Sequence, residues 1–331
     1  MVFFSYTNNW KEAENMLKVG LIGCGGISGA HVPAWQNMDD AELIALCDIR
    51  PEKMERYSVK KQYTDFDKML DENEFDIIDV CLPTYLHAEY AMRAMNRGIN
   101  VITEKPIALN EEDVHRLYET AERNHVKYMV AQCLRFWDDY DLIKQIYDTG
   151  KYGKLLSAHL WRLGSYPGGG WNQWYYKKEL SGLIPFDLHI HDLDFLVYAF
   201  GQPKSYHFRR QERPEQDYLS VEYDYGDFFI TSEASWYKAH YPFGMGFRFQ
   251  FEEAVVALEN KELTIYDCFG NRIKPYSEDA TENLSDFDLP SGNAYANELR
   301  YFADCVKYDR PVEKVDKDSL LAVLKILNEM K

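Results

Sequence analysis

Lys105, Asp187 and His191 are three side chains that together could move a hydride and a proton. Oxidising a carbinol sends hydride from carbon to an acceptor while a proton leaves the hydroxyl. Such a site needs a base near neutral pKa and a cation beside the developing oxyanion. Lys105 ends the strand-like run INVITEKP (99–106) and can stabilise an alkoxide. Asp187 and His191 stand four apart on a predicted helix, which puts both on one face. A carboxylate there would fix the imidazole's tautomer and raise its basicity, and His191 then suits the acid/base role. A helix cap beside a structural histidine would leave the same pattern. His189, Asp192 and Asp194 lie close by in sequence. Residues two apart on a helix point roughly 200° apart, so His189 and His191 do not share one ion and no metal is expected. His189 reads as a packing or substrate-side residue.

A second constellation lies upstream. Gly23-Cys-Gly25-Gly26-Ile27-Ser28 falls between a buried strand, LKVGLIGC (17–24), and a predicted helix. That is the context of the fingerprint G-x-G-x-x-G/A, whose glycines allow the turn and the backbone's approach to a pyrophosphate. The small Ser28 takes the third position, and the helix N-terminus offers free N–H groups to an anion. Asp48 closes the second strand, AELIALCD (41–48), where a carboxylate accepts ribose hydroxyls and repels a 2′-phosphate. NAD is therefore expected over NADP. Arg50 keeps the question open, since it can stack on adenine or pair with a 2′-phosphate. Ile49 accompanies them.

These groups need a scaffold. The first half alternates apolar strands (17–24, 41–48, 76–83, 99–106, 127–134) with amphipathic helices, including one predicted over PEKMERYSVKK (51–61). That pattern marks a parallel sheet covered on both faces. The second half has a helix near 138–148, a strand over LLSAHLWRLG (155–164), an aromatic loop and a long helix over 183–200. Strand-like alternation runs from 204 to 276, and two closing helices follow. It reads as α/β: a Rossmann domain, then an α/β domain with a large, mostly antiparallel open sheet. The boundaries expected are 1–15 for a tail, 16–135 for the first domain and 136–331 for the second, whose last helices can pack back on the first.

Composition narrows the function. With 37 Lys and Arg against 54 Asp and Glu, the net charge is −17, which opposes nucleic acid and anionic membranes. No apolar run approaches the ~20 residues of a membrane span. The N-terminus lacks the features of a secretory signal, and the six cysteines form no CxxC pair. Reduced thiols and a cytoplasmic location are the expectation.

Four segments carry a resemblance: the fingerprint, CLPTYLHAEYAMRAM (81–95), EKPIA (104–108) and DLHIHDLDF (187–195). With the closing ANELRYFADCVKYDRP, they resemble the glucose–fructose oxidoreductase and inositol dehydrogenase family, also written Gfo/Idh/MocA. The resemblance implies NAD(P)-dependent oxidation of a secondary alcohol on a sugar, sugar derivative or cyclitol. A redox-neutral glycosidase or epimerase-like reaction using tightly bound NAD is the alternative it implies. It also implies a homodimer or homotetramer built on the open sheet. It puts Lys105 at the catalytic position beside Glu104, and it matches Asp187 and His191 to the family's pair. By the same resemblance, Leu82, Pro83, Thr84 and His87 form the nicotinamide-side loop, and Arg162 reaches the cofactor. For His87, a plain helix-terminal residue is the other reading. Arg135 and Trp161 end strands near the domain junction and are substrate candidates, with a structural ion pair equally open for Arg135. Trp171, Trp174 and Tyr175 suit a sugar's C–H face or a subunit interface equally. The loop that carries them departs from the family's simpler glycine-rich stretch.

Overall fold

The computed structural model describes residues 16–168, 170–276 and 294–331. The expected tail at 1–15 lies outside the described residues. The first half forms a six-stranded parallel sheet: β1 (Leu17–Ile22), β2 (Ala41–Cys47), β3 (Lys61–Tyr63), β4 (Ile77–Val80), β5 (Asn100–Glu104) and β6 (Tyr128–Ala131). Its order, β3-β2-β1-β4-β5-β6, is that of a doubly wound dinucleotide-binding sheet. β4 and β6 are buried at every residue, because helices cover both faces. These helices are α1 (Ser28–Gln36), α2 (Phe66–Asp71), α3 (His87–Met95) and α4 (Glu111–Arg123). Asn110 caps α4 as its sequence suggests: its Oδ1 accepts the Asp113 N–H at 2.8 Å.

One predicted helix is absent. Residues 51–61 contain only a 3₁₀ turn, Pro51–Lys53, and the first residue of β3. Arg56 beyond it turns back to the glycine loop, and that tertiary contact outweighs the helical propensity of the segment.

The second sheet has eight strands in the order β14-β13-β12-β11-β7-β10-β9-β8. β7 (Leu155–Ser165), β8 (Ser205–Arg213), β9 (Gln216–Asp224) and β10 (Phe229–Tyr237) form one half. β11 (Gly244–Phe251), β12 (Ala254–Glu259), β13 (Glu262–Asp267) and β14 (Arg272–Ile273) form the other. β7 and β10 pair in parallel, and the other neighbours are antiparallel. Alternation divides its residues between two faces. Leu219, Val221, Ile230, Phe247 and Phe249 point into the core. There they meet α5 (Asp138–Thr149) and α7 (Ile190–Phe200) through edge-on rings of Tyr140 and Phe195. The other face shows Leu156, Phe229 and Tyr266 to solvent.

The long helix expected over 183–200 is broken in character. A short α6 (Lys178–Ser181) ends at Gly182, whose φ is +74°. A π-turn, Pro185–His189, then leads into α7. The closing helices α8 (Ala294–Lys307) and α9 (Lys317–Met330) return to the first half, α8 on α1 and α9 on α4 and α7.

Candidate active site

The two sheets leave a cavity of about 950 Å³ at the C-terminal ends of β1, β2, β4 and β5. At its first end is the glycine loop. Gly23 has φ +96°, and a Cβ there would strike the Cys81 carbonyl at the end of β4. A Cβ at Gly25 would meet nothing within 4 Å, so the space beside its Cα is open to a ligand. Asp48 braces the loop: one carboxylate oxygen accepts the Cys24 N–H at 2.8 Å, the other the Arg50 N–H at 2.9 Å. The Arg50 Nε also turns to Asp48, at 3.4 Å. Arg56, which sequence reasoning missed, donates to the carbonyls of Cys24 and Gly25 and to Ser28 Oγ. No local motif marks Arg56, because its role depends on a return of the chain. Gly26, Ile27 and Ile49 line the same end.

Lys105 stands at the second end, after β5 and before a cis Pro106. Its Nζ donates to the Asp187 backbone oxygen at 2.8 Å and pairs with Asp187 Oδ1 at 3.3 Å. His191 lines the cavity beside them, with Nδ1 3.8 Å from Cys133 Sγ. Burial first, then the cations Lys105 and Arg162, push the His191 pKa well below its ordinary value. This corrects the expected division of labour. Asp187 serves Lys105 rather than the imidazole, and His191 is made less basic, not more. The cause is a long-range contact: Lys105, 82 residues away in sequence, takes both the Asp187 backbone oxygen and its carboxylate. Leu82, Pro83, Thr84 and Glu104 complete this part of the lining.

Trp171, Trp174 and Tyr175 also face the cavity, but at different places. Trp171 lies over the Arg50 guanidinium, 5.1 Å to the ring centre, which puts it at the Asp48 end. Trp174 stacks on Tyr175, and the Tyr175 hydroxyl is pushed up by burial first and then by Asp187. Tyr175 therefore belongs to the Lys105 end.

Five expected site residues lie outside the cavity lining. His87 is buried, with ring nitrogens 2.8 Å from the Pro106 oxygen and 2.7 Å from the Leu82 oxygen, so it ties two loops together. Arg162 points into the core, bonded to Asp192 and Tyr140. Trp161, its neighbour on β7, necessarily points to the other face of the sheet and stacks on His159. Arg135 forms a sealed bidentate pair with Asp194, at 2.8 and 2.7 Å, that joins the β6 turn to α7. His189 is wholly buried between Tyr223 and Ser232, and burial pushes it down to about 3. These are structural groups that a one-dimensional pattern places near the site but whose side chains turn away.

A dinucleotide-type crevice thus shares one cavity with a lysine, a carboxylate and an imidazole. Residues 17–132 match the family described as an oxidoreductase family with an NAD-binding Rossmann fold, and residues 140–256 match the GFO/IDH/MocA C-terminal domain. The chain belongs to this Gfo/Idh/MocA family. It is 30% identical over 193 residues to the glucose-6-phosphate 3-dehydrogenase of Bacillus subtilis, covering 56% of this chain and 54% of that one. It is 28% identical over 196 residues to the 2,7-anhydro-N-acetylneuraminate hydratase of Escherichia coli, covering 56% and 50%. The chain spans about half the length of the curated relatives it matches. In structure it is similar to the myo-inositol 2-dehydrogenase of Lactobacillus plantarum, with TM-score 0.76, 22% identity, and 94% and 95% of the two chains covered.

Proposed function

We propose that the protein is an NAD-dependent dehydrogenase acting on a secondary alcohol of an uncharged sugar, sugar derivative or cyclitol. One observation carries the reading: Lys105, held by Asp187, shares a cavity with an imidazole kept neutral and with a braced glycine loop. Bound nicotinamide would supply the hydride acceptor. The open Gly25 backbone and Asp48 would hold the dinucleotide, and Asp48 with Arg50 turned toward it supports NAD over NADP. Neutral His191 takes the hydroxyl proton, and the Lys105 ammonium stabilises the alkoxide. Trp174 and Tyr175 offer stacked faces to the C–H surface of a sugar ring.

The charge at this end supports an uncharged substrate. Among the described residues, the cations lining the cavity are Arg50, Lys53 and Arg56 near the glycine loop, and Lys105, which is already paired. A phosphate or carboxylate brought to the Lys105 end would meet Asp187 and Glu104 without a cation of its own. The boundary between cofactor and substrate domains falls near residue 135. The exposed sheet face with Leu156, Phe229 and Tyr266 suits a homodimer or homotetramer contact.

The test is NADH absorbance with purified protein, NAD and a panel of free sugars, cyclitols, glycosides and sugar phosphates. Steady growth with an uncharged polyol is expected. Preference for a phosphorylated or acidic sugar would overturn the substrate reading. The hydratase relative favours a second reading, redox-neutral chemistry on retained NAD. Its mark would be loss of a glycoside or anhydro sugar without net NADH.

A further inference from the structure

Beneath Lys105 lies a sealed cluster that the dehydrogenase reading does not use. His31 on α1 bridges two carboxylates: Nδ1 is 2.8 Å from Asp79 Oδ2 on β4, and Nε2 is 2.9 Å from Glu104 Oε1 on β5. Asp79 also accepts from Trp35 Nε1 at 2.7 Å, and Glu104 Oε2 accepts the Lys105 N–H at 3.1 Å. Burial alone would lower the His31 pKa, but Asp79 overrides it and holds it well above the ordinary value, so His31 is an imidazolium whose two ring nitrogens both donate. Glu298, from α8, is the fourth member. It is 0% exposed, and neither of its oxygens has a hydrogen-bond partner among the described residues. Donor atoms of His31, Glu104 and Glu298 all lie within 4.8 Å of one another.

An ionised Glu298 would put a third carboxylate beside one imidazolium in a place closed to water. That arrangement is expensive unless a proton or a cation compensates it. Glu104, Asp79 and His31 are the charged groups facing it from the packed elements, and Tyr295 and Cys133 are the neutral titratable ones. Burial and Glu104 push its acidity in the same direction, toward the protonated form. Glu104 is the one member that also borders the cavity.

We infer that Glu298 is a neutral carboxylic acid facing Glu104, and that this pair couples the protein's proton content to the charge of what fills the cavity. A cation beside Glu104 favours the ionised pair, and a neutral occupant favours the protonated one. The nicotinamide ring is cationic when oxidised and neutral when reduced. Raising the pH ionises the pair and so shifts preference toward the oxidised cofactor. By linkage, oxidised cofactor releases the proton more readily than reduced cofactor does.

Two measurements test this, and only the second rests on the reading of the cavity as a nicotinamide site. Infrared spectroscopy of the cofactor-free protein should show the carbonyl stretch of a buried neutral carboxylic acid at neutral pH, lost in Glu298→Gln. Absence of that band overturns the inference, and so does one divalent cation per chain that Glu298→Gln abolishes. Dissociation constants of NAD⁺ and NADH, read by calorimetry from mildly acidic to alkaline pH, give the second test. In the wild type, the ratio Kd(NADH)/Kd(NAD⁺) should rise several-fold with pH. In Glu298→Gln, whose amide keeps the shape and cannot ionise, it should be flat with an unchanged melting temperature. A flat wild-type ratio, or a slope that survives in Glu298→Gln, overturns the coupling.

Discussion

The two ends of the cavity are built from different materials. The Asp48 end is mostly backbone: a strand, a glycine turn and a helix start, all within twelve residues, with Asp48 and Arg56 bracing the turn. The Lys105 end is built of side chains, the ones to which the proposed chemistry falls, and its central pair joins residues 82 apart in sequence. The first end is local in sequence. The second is assembled by docking the π-turn of one half onto a strand end of the other. Binding and catalysis should therefore separate under mutation.

The largest effect is expected at the reaction end. Lys105→Ala should lower kcat by ~10²–10³-fold or more, the range for losing a preorganised oxyanion partner. Its NAD affinity should stay within a few-fold of wild type, read by fluorescence titration. Wild-type turnover would remove Lys105 from the mechanism, and a collapse of NAD binding would erase the division between the ends. Asp48→Ala should do the reverse. It removes the acceptor of a buried and a part-buried N–H group, so NAD affinity should fall by ~10–100-fold and the preference over NADP should shrink. An unchanged NAD/NADP ratio would mean that Arg50 or another group reads the ribose.

The contrast also explains what could be read from the chain. The order of apolar strands and amphipathic helices was sufficient for the doubly wound sheet, because fully buried strands leave continuous apolar runs. Alternation was sufficient for the second sheet, where one face is wet. Gly23, Gly25, Asp48, Lys105, Asp187 and His191 do meet on one cavity. What stayed hidden is direction. Arg162, Arg135 and His189 carry the right chemistry at the right positions, yet sheet pleat and core ion pairs turn them inward. The π-turn was illegible because its residues fit an α-helix equally well, and the partner of Asp187 was hidden because Lys105 stands 82 residues away. Arg56 meets the glycine loop, and Glu298 comes beside Glu104, only after the chain returns, so no spacing announces them.

A pH measurement sharpens the assignment of His191. Burial and Lys105 hold its pKa below the ordinary 6.5, so the neutral base persists as pH falls through that value. The acid limb of kcat/KM for alcohol oxidation should therefore lie below pH 6.5. Stability follows the same sign. The unfolded imidazole binds a proton below its ordinary pKa while the folded one resists, so this contribution is full above 6.5 and declines as pH falls below it. Replacing Lys105 by Met removes one of the two cations acting on the ring, and the limb in the residual activity should move up. An acid limb already above the ordinary value would assign the base elsewhere.

The smallest effect decides where the aromatic loop belongs. Trp171 has 44% of its surface exposed and contacts Arg50 through its ring face alone. A cation–π contact at so open a place contributes about 0.5–1 kcal/mol, which is roughly two- to five-fold in affinity. Trp171→Ala should therefore raise the KM for NAD by that factor and leave the KM for the polyol unchanged. Trp174→Ala should show the opposite pattern, because its ring stacks on Tyr175 beside Asp187. If both variants change the same constant, the loop is a single wall serving one ligand. Opposite responses would instead show one loop that serves both ends, with its first tryptophan on the cofactor side and its second on the substrate side.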